Sequence, residues 1–238
     1  MRFSVVRRIT GSLFAVLFIT GAPHAQESDG PAIIRDLDAA NQARFDNVLS
    51  FTDVEHYTVF RGTDQTNPAA EMTVKMSYKK GVGKDYVILK QSGSSLIHKF
   101  GLQPLLENEK SINNPATVGQ SWFTSANYEM HLEPGVIQTI DGRQCLAVSI
   151  TPRRTAPNMI DGTLWVDAIN HTLAEVEGVA SKSPSVFAGT TKMMRRYRIM
   201  QGYAMAIHAR AESSSTLFGK TVIVIDYSDY HFELRAAQ

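Results

Sequence analysis

From residue 51 onward the chain is written largely in alternation. Residues 71–79 (EMTVKMSYK) place Met72, Val74, Met76 and Tyr78 on one side and Glu71, Thr73, Lys75, Ser77 and Lys79 on the other, the two-residue period of a half-buried strand. Lys80-Gly81-Val82-Gly83-Lys84 supplies a turn and DYVILKQ (85–91) a return strand, which together predict a β-hairpin. Further strands are predicted in NYEMHLE (127–133), GVIQTI (135–140), QCLAVSITPRR (144–154), TTKMMRRYRIM (190–200), YAMAIHARAESSS (203–215) and KTVIVIDYSDYHFEL (220–234). Asp141-Gly142, Gly202 and Phe218-Gly219 fall between them as turns. The run Val222-Ile223-Val224-Ile225 breaks the alternation and predicts a strand covered on both faces.

Two stretches read differently. Between residues 32 and 50, Ile33, Ile34, Leu37, Ala40, Phe45, Val48 and Leu49 recur at near-helical spacing, predicting an amphipathic helix. Residues 94–111 carry Leu96, Ile97, Phe100, Leu102, Leu105 and Leu106 and predict one or two short helices, the second begun by Pro104. The pattern as a whole predicts an α+β, mainly β fold, a long antiparallel sheet with a few helices. No short repeat, Gly/Ser linker or low-complexity tract divides it, so residues 32–238 read as a single domain after a polar tether at 26–31 (QESDGP).

The N-terminus sets the compartment. Arg2, Arg7 and Arg8 precede an apolar run from Leu13 to Ile19, and small residues follow at Gly21, Ala22 and Ala25. This is the layout of a secretory signal over residues 1–25, cleaved after Ala25 or Ala22. The apolar run is far below the roughly 20 residues of a membrane-spanning helix. The predicted mature protein is periplasmic, with no transmembrane segment. Its loss of three Arg from 24 basic residues, against 23 acidic ones, leaves a net charge of −2, which gives no electrostatic case for nucleic acid. Cys145 is the only cysteine, so no intrachain disulfide can form.

The search for chemistry returns little. GTLWVDAINHTLAEVEG (162–178) holds Trp165, Asp167, His171, Glu175 and Glu177. It reads as a strand, a turn over Asp167–His171 and a returning strand, with Glu175 and Glu177 on one solvated face. Asp and Asn favour such turns because their side chains bond nearby backbone. No GxSxG elbow, HExxH pair or glycine-rich phosphate loop is present. Cys145, inside an apolar strand, reads as a small buried residue. Arg153-Arg154 and Arg195-Arg196 with Arg198 read as solvated strand faces or rims, with phosphate or lipid head-group binding as the sharper alternative. No catalytic residue, metal ligand or cofactor is expected.

The succession of features has a counterpart. HYTVF (56–60), a hairpin, an insertion ending LLENEK (105–110), NYEMHLE, CLAVSITPRR (145–154), DGTLWVDAINHTLAEVEG (161–178), SPSVF (183–187) and a closing VIVIDYSDY (222–230) resemble exported bacterial proteins of the outer-membrane lipoprotein-sorting, LolA-like class. The resemblance implies an incomplete antiparallel β-barrel, LolA/LolB-like, with helices closing an apolar interior that holds acyl chains. The lipobox Cys of the receptor type is missing.

The function so implied is a periplasmic carrier or binder of lipids or lipoprotein acyl chains, its partner a lipid or acylated lipoprotein. The alternative is an envelope sensor or scaffold that binds a protein partner. An enzyme acting on glycans through Glu175, Glu177 or Asp167 is the third reading. A dry groove needs no catalytic groups, since burying an acyl chain gains about 0.8 kcal/mol per methylene. The expected apolar lining is Met72, Val74, Met76, Tyr78, Trp165, Val222 and Val224, with Ile223 and Ile225 as the other choice on the last strand.

Overall fold

The computed structural model describes residues 29–156, 158–182, 189–215 and 219–236. The export signal and the SPSVF stretch read from the sequence lie outside the described residues. Helix α1 (Gly30–Asn47) is followed by β1 (Val48–Arg61), β2 (Ala70–Lys79) and β3 (Gly83–Gly93). A helical segment then runs from α2 (Ser95–Ile97) through a π-turn (His98–Leu102) to α3 (Gln103–Ile112). Seven strands complete the chain: β4 (Tyr128–Ile140), β5 (Arg143–Pro152), β6 (Ile160–Asp167), β7 (Leu173–Ala180), β8 (Thr191–Met200), β9 (Tyr203–Ser215) and β10 (Gly219–Leu234).

All ten strands pair antiparallel in one sheet, in the order β3-β2-β1-β10-β9-β8-β7-β6-β5-β4. β3 and β4 are consecutive in the chain yet form the two edges, so the sheet is an open barrel and the α2–α3 segment carries the chain from one edge to the other. The alternation predicts the long antiparallel sheet, and the resemblance its form as an incomplete barrel. Among the described residues, no helix is long and apolar enough to cross a membrane.

Turn chemistry sets the register as expected. Asp141 and Gly142 both take positive φ (46° and 78°), as do Gln201 and Gly202 (52° and 86°). This is the conformation that matches a two-residue turn to the twist of its strands. In the β6–β7 hairpin, Asp167 Oδ1 accepts from the backbone N–H of Ile169 (2.9 Å) and Asn170 (3.2 Å). Pro104 sits in the first turn of α3 as predicted.

Two boundaries and one exposure differ. Helix α1 stops at Asn47, because Val48 turns extended (φ −82°, ψ 101°) and is buried against Phe51 and Met205; Val48 and Leu49 thus belong to β1. NYEMHLE and GVIQTI form one strand, β4, with a register shift between Leu132 and Ile137 that absorbs Pro134. Glu175 is 4% exposed rather than solvated, since Arg196 on the next strand bonds its carboxylate at 2.8 Å.

Side-chain alternation assigns the two faces. One row of cross-strand partners runs Met72, Tyr57, Ile225, Ala209, Arg195, Val176, Leu164, Val148 and Leu132. This is the face the helices cover. Helix α1 lays Ile33 and Leu37 on Leu164, Val166, Val148 and Ile150. The α2–α3 segment lays Leu102 and Leu106 on Met72, Val74, Met76 and Tyr57. The next row, on the outer face, runs Thr73, His56, Asp226, His208, Arg196, Glu175, Trp165 and Ala147.

Candidate functional site

The concave face is covered unevenly, and the gap between its two covers is the candidate site. Under α2–α3, Met72, Val74 and Met76 are at most 1% exposed, and Leu164 and Val148 under α1 are fully buried. Between these regions, on β8, β9 and β10, the inward residues Met193, Arg195, Tyr197, Ala211, Ile223 and Tyr227 are only half-buried. This less covered strip of the central strands, the groove, carries Arg195 among apolar and aromatic side chains.

A polar seam crosses the groove. Strand β1 turns Asp53, Glu55 and Tyr57 inward, because they share the face set by Phe51 and Val59. Asp53 and Glu55 are each 2% exposed. Lys84 reaches Glu55 at 4.0 Å from β3 and Glu109 of α3 at 3.2 Å. Arg195 of β8 meets Glu109 at 3.5 Å. The Tyr57 hydroxyl donates to Glu55. On the α1 side, Arg44 directs its Nε–H at the Met205 thioether, 3.4 Å away.

Burial and pairing divide these groups. Burial pushes Asp53 up from 3.8 to about 7, with the neighbouring Glu55 charge adding to it. Lys84 first, and then Tyr230, oppose the rise without reversing it; the Tyr230 hydroxyl also donates to the Ala206 carbonyl at 2.8 Å. One Asp53 carboxylate oxygen is buried without a hydrogen-bond partner. Glu55 is also raised by burial, against the pull of Lys84. Glu109 moves the other way: burial raises it, but Lys84 and Arg195 together hold it below the usual glutamate value. Lys84 is raised because Glu109 and Glu55 outweigh its own desolvation.

The sequence-chosen lining is distributed over both faces. Met72, Val74, Met76 and Tyr78 do share the concave face, but the first three are packed under Leu102 and Leu106. Tyr78 lies with Phe51, the ring centroids 5.2 Å apart. Trp165 is on the outer face with Cys145, Ala147 and Ala174, its indole N–H donating to Glu177 at 2.9 Å. Val222 and Val224 also alternate outward; Ile223 and Ile225 pack with Tyr57 and Met72. Arg195 and Arg196, read together as a solvated rim, point to opposite faces as adjacent strand residues must.

The charged seam was missed. Its one signal was the spacing Phe51-x-Asp53-x-Glu55-x-Tyr57-x-Val59, which puts two carboxylates on an apolar face.

Among the described residues no group of three His, Cys, Asp or Glu side chains could hold a metal. Two surface depressions lie elsewhere. One, about 420 Å³, is lined by Gln91, Ser92, His98 and Gln103, and the other, about 240 Å³, by Phe45, Tyr78, Lys80 and Asn113.

No protein-family model and no curated protein matches the chain. The chain is similar in fold to LolA-superfamily structures. A LolA superfamily protein from Nitrosomonas europaea is 14% identical, with a TM-score of 0.47 over 88% of this chain and 94% of that one. A putative outer membrane lipoprotein-sorting protein domain from Vibrio parahaemolyticus is 11% identical, with a TM-score of 0.49 over 88% and 94%. A DUF1329 family protein from Desulfovibrio piger is 15% identical, with a TM-score of 0.46 over 87% and 95%.

Proposed function

We propose that this protein is a periplasmic binder and carrier of acyl-chain-bearing molecules, lipids or acylated lipoproteins, which it holds without catalysis. The supporting observation is the groove itself. Met193, Ile223, Tyr197 and Tyr227 are apolar or aromatic and face inward on central strands, yet stay partly accessible while their neighbours under the helices are sealed. Interior positions of this kind are normally filled by the chain's own side chains. About ten buried methylenes contribute roughly 8 kcal/mol before the entropy of binding is subtracted, and each further methylene adds about 0.8 kcal/mol.

The test is native mass spectrometry of protein expressed with its N-terminal segment and purified from the periplasm without detergent, followed by solvent extraction. A stoichiometric acyl-bearing mass, lost in Ile223→Asp, is the expected result. Protein that is recovered empty and stays empty when offered fatty acid or phospholipid removes the reading. A second reading, docking of an envelope protein, draws on Leu96 and Phe100, which are 67% and 66% exposed on the α2 segment. It leads if the native mass is free of lipid and Phe100→Glu abolishes co-purification of a defined partner.

A further inference from the structure

Two guanidinium groups border the groove and neither is neutralised by an anion of its own. Arg195 rises from the middle of the concave face between Ala209 and Val176, both buried, yet 34% of its side chain stays accessible. Its only ion pair among the described residues is with Glu109 at 3.5 Å, and Glu109 already holds Lys84 more closely, at 3.2 Å. Arg44, on α1, makes no ion pair among the described residues; its Nε–H contacts the Met205 sulfur, a weak acceptor. Burial lowers the Arg44 pKa, with Tyr197, Tyr230 and Tyr78 opposing it and the charge of Arg195 adding to it. The carboxylates facing this region are Asp53 and Glu55 from β1 and Glu109 from α3; Tyr227 first, then Tyr197, Glu109 and Glu55 raise Arg195 against its burial. Arg195 thus shares its one ion-paired carboxylate with Lys84, and Arg44 has no carboxylate at ion-pair distance among the described residues.

We propose that the groove selects amphiphiles with a single anionic head, a carboxylate or a phosphate, and that Arg195 and Arg44 are the residues that read it. Glu109, 3.5 Å from Arg195, holds the position on that guanidinium that the head would take. The inference rests on the acyl-binding reading above and adds the chemistry of the ligand. A guanidinium offers a planar fork of donors to carboxylate or phosphate oxygens. An incoming anion tethered to a buried chain competes with Glu109 at high local concentration. A neutral head has no donor or acceptor pattern that replaces Glu109, so it gains only the burial of its chain.

The experiment uses cis-parinaric acid, whose fluorescence reports burial, and its methyl ester, which has the same chain and no charge. The wild-type protein is expected to bind the acid about tenfold to a hundredfold more tightly than the ester, the range for a hydrogen bond to a charged group. Arg195→Met and Arg44→Met should each bring the acid close to the ester, and Arg195→Lys should restore part of the preference. Glu109→Gln should tighten the acid and not the ester. Arg44→Met breaks no ion pair, so it tests the assignment even if Arg195→Met folds poorly. Palmitate or lysophosphatidic acid should displace the bound acid, and monopalmitoylglycerol should not. Equal binding of acid and ester overturns this inference and leaves the acyl-binding reading standing. Binding of neither overturns both. A preference that survives in both Met variants overturns the assignment to these arginines, and displacement by inorganic phosphate alone would make the site one for free anions.

Discussion

Asp53→Asn should stabilise this protein at pH 8 and do almost nothing at pH 4. Asp53 is 2% exposed, has an oxygen without a hydrogen-bond partner, and faces Glu55 on its own strand. Its folded-state pKa of about 7 lies above the ordinary 3.8 of an unfolded chain. An acid whose pKa is raised on folding binds its proton more tightly in the folded state, so stability falls as pH rises. The loss begins near 3.8 and is complete just above 7. The gap corresponds to roughly 4 kcal/mol at 1.36 kcal/mol per pKa unit. Relaxation around Lys84 and Glu55 brings the expected gain for the isosteric amide to about 2–4 kcal/mol. Urea unfolding of both proteins at half-unit steps from pH 4 to pH 8.5 measures it. The difference in unfolding free energy should open from near zero to its plateau across that window. A constant difference, or a variant less stable at pH 8, would refute the assignment, because it would mean that Asp53 is held ionised by Lys84.

Three further outcomes test other parts of the fold. Leu106→Ala removes a fully buried side chain that joins α3 to the concave face, and chemical denaturation should show a loss of about 2–5 kcal/mol. Gly162→Ala puts a methyl group 2.1 Å from the Glu177 carbonyl oxygen and 2.6 Å from Gly178 Cα. Both obstacles are backbone, so the β6–β7 hairpin must part and the variant should lose at least about 3 kcal/mol or fail to accumulate. Cys145 is fully buried, and burial raises its thiol pKa. Its labelling by a disulfide reagent at pH 8 should therefore follow global unfolding, and fast labelling of the native protein would contradict the burial.

The strands were legible because alternation is a local property. EMTVKMSYK, QCLAVSITP and GTLWVD carry their faces in every second residue, and Asp141-Gly142 and Asp167 carry their turns in side-chain chemistry. Which face a strand offers to the helices is not local. Trp165 alternates as cleanly as Leu164, and only the pairing of β6 with β5 and β7 shows that Leu164 meets α1 while Trp165 meets Cys145. In Val222-Ile223-Val224-Ile225 apolarity on both faces erases the signal, and the register with Tyr57 and Val59 decides it. Helix α1 was overextended for a related reason: Val48 and Leu49 continue its period, but Val48 is claimed by the pairing of β1 with Leu234. The seam escaped because its members lie far apart in sequence, at positions 53, 55, 84, 109 and 195. Each charge alone reads as solvated.

The location of that seam bears on what it is for. Charges buried for stability alone are poor value, since a well-packed apolar set of the same volume is commonly as stable or more so. A purely structural ion cluster would be fully paired. Here Asp53 is left with an unpaired oxygen, Arg44 is left against a thioether, and Arg195 keeps a third of its side chain in contact with solvent. These incomplete pairings lie on the face the helices cover, beside the less covered central strands. Partial satisfaction is costly in a core and useful in a binding site, because a ligand that completes the pairing recovers the cost as affinity. The stabilising substitution at Asp53 and the selectivity lost at Arg195 are thus two readings of one arrangement. A variant that replaced Asp53, Glu55, Lys84, Glu109 and Arg195 together with apolar residues should be more stable than the wild type and unable to tell a fatty acid from its ester.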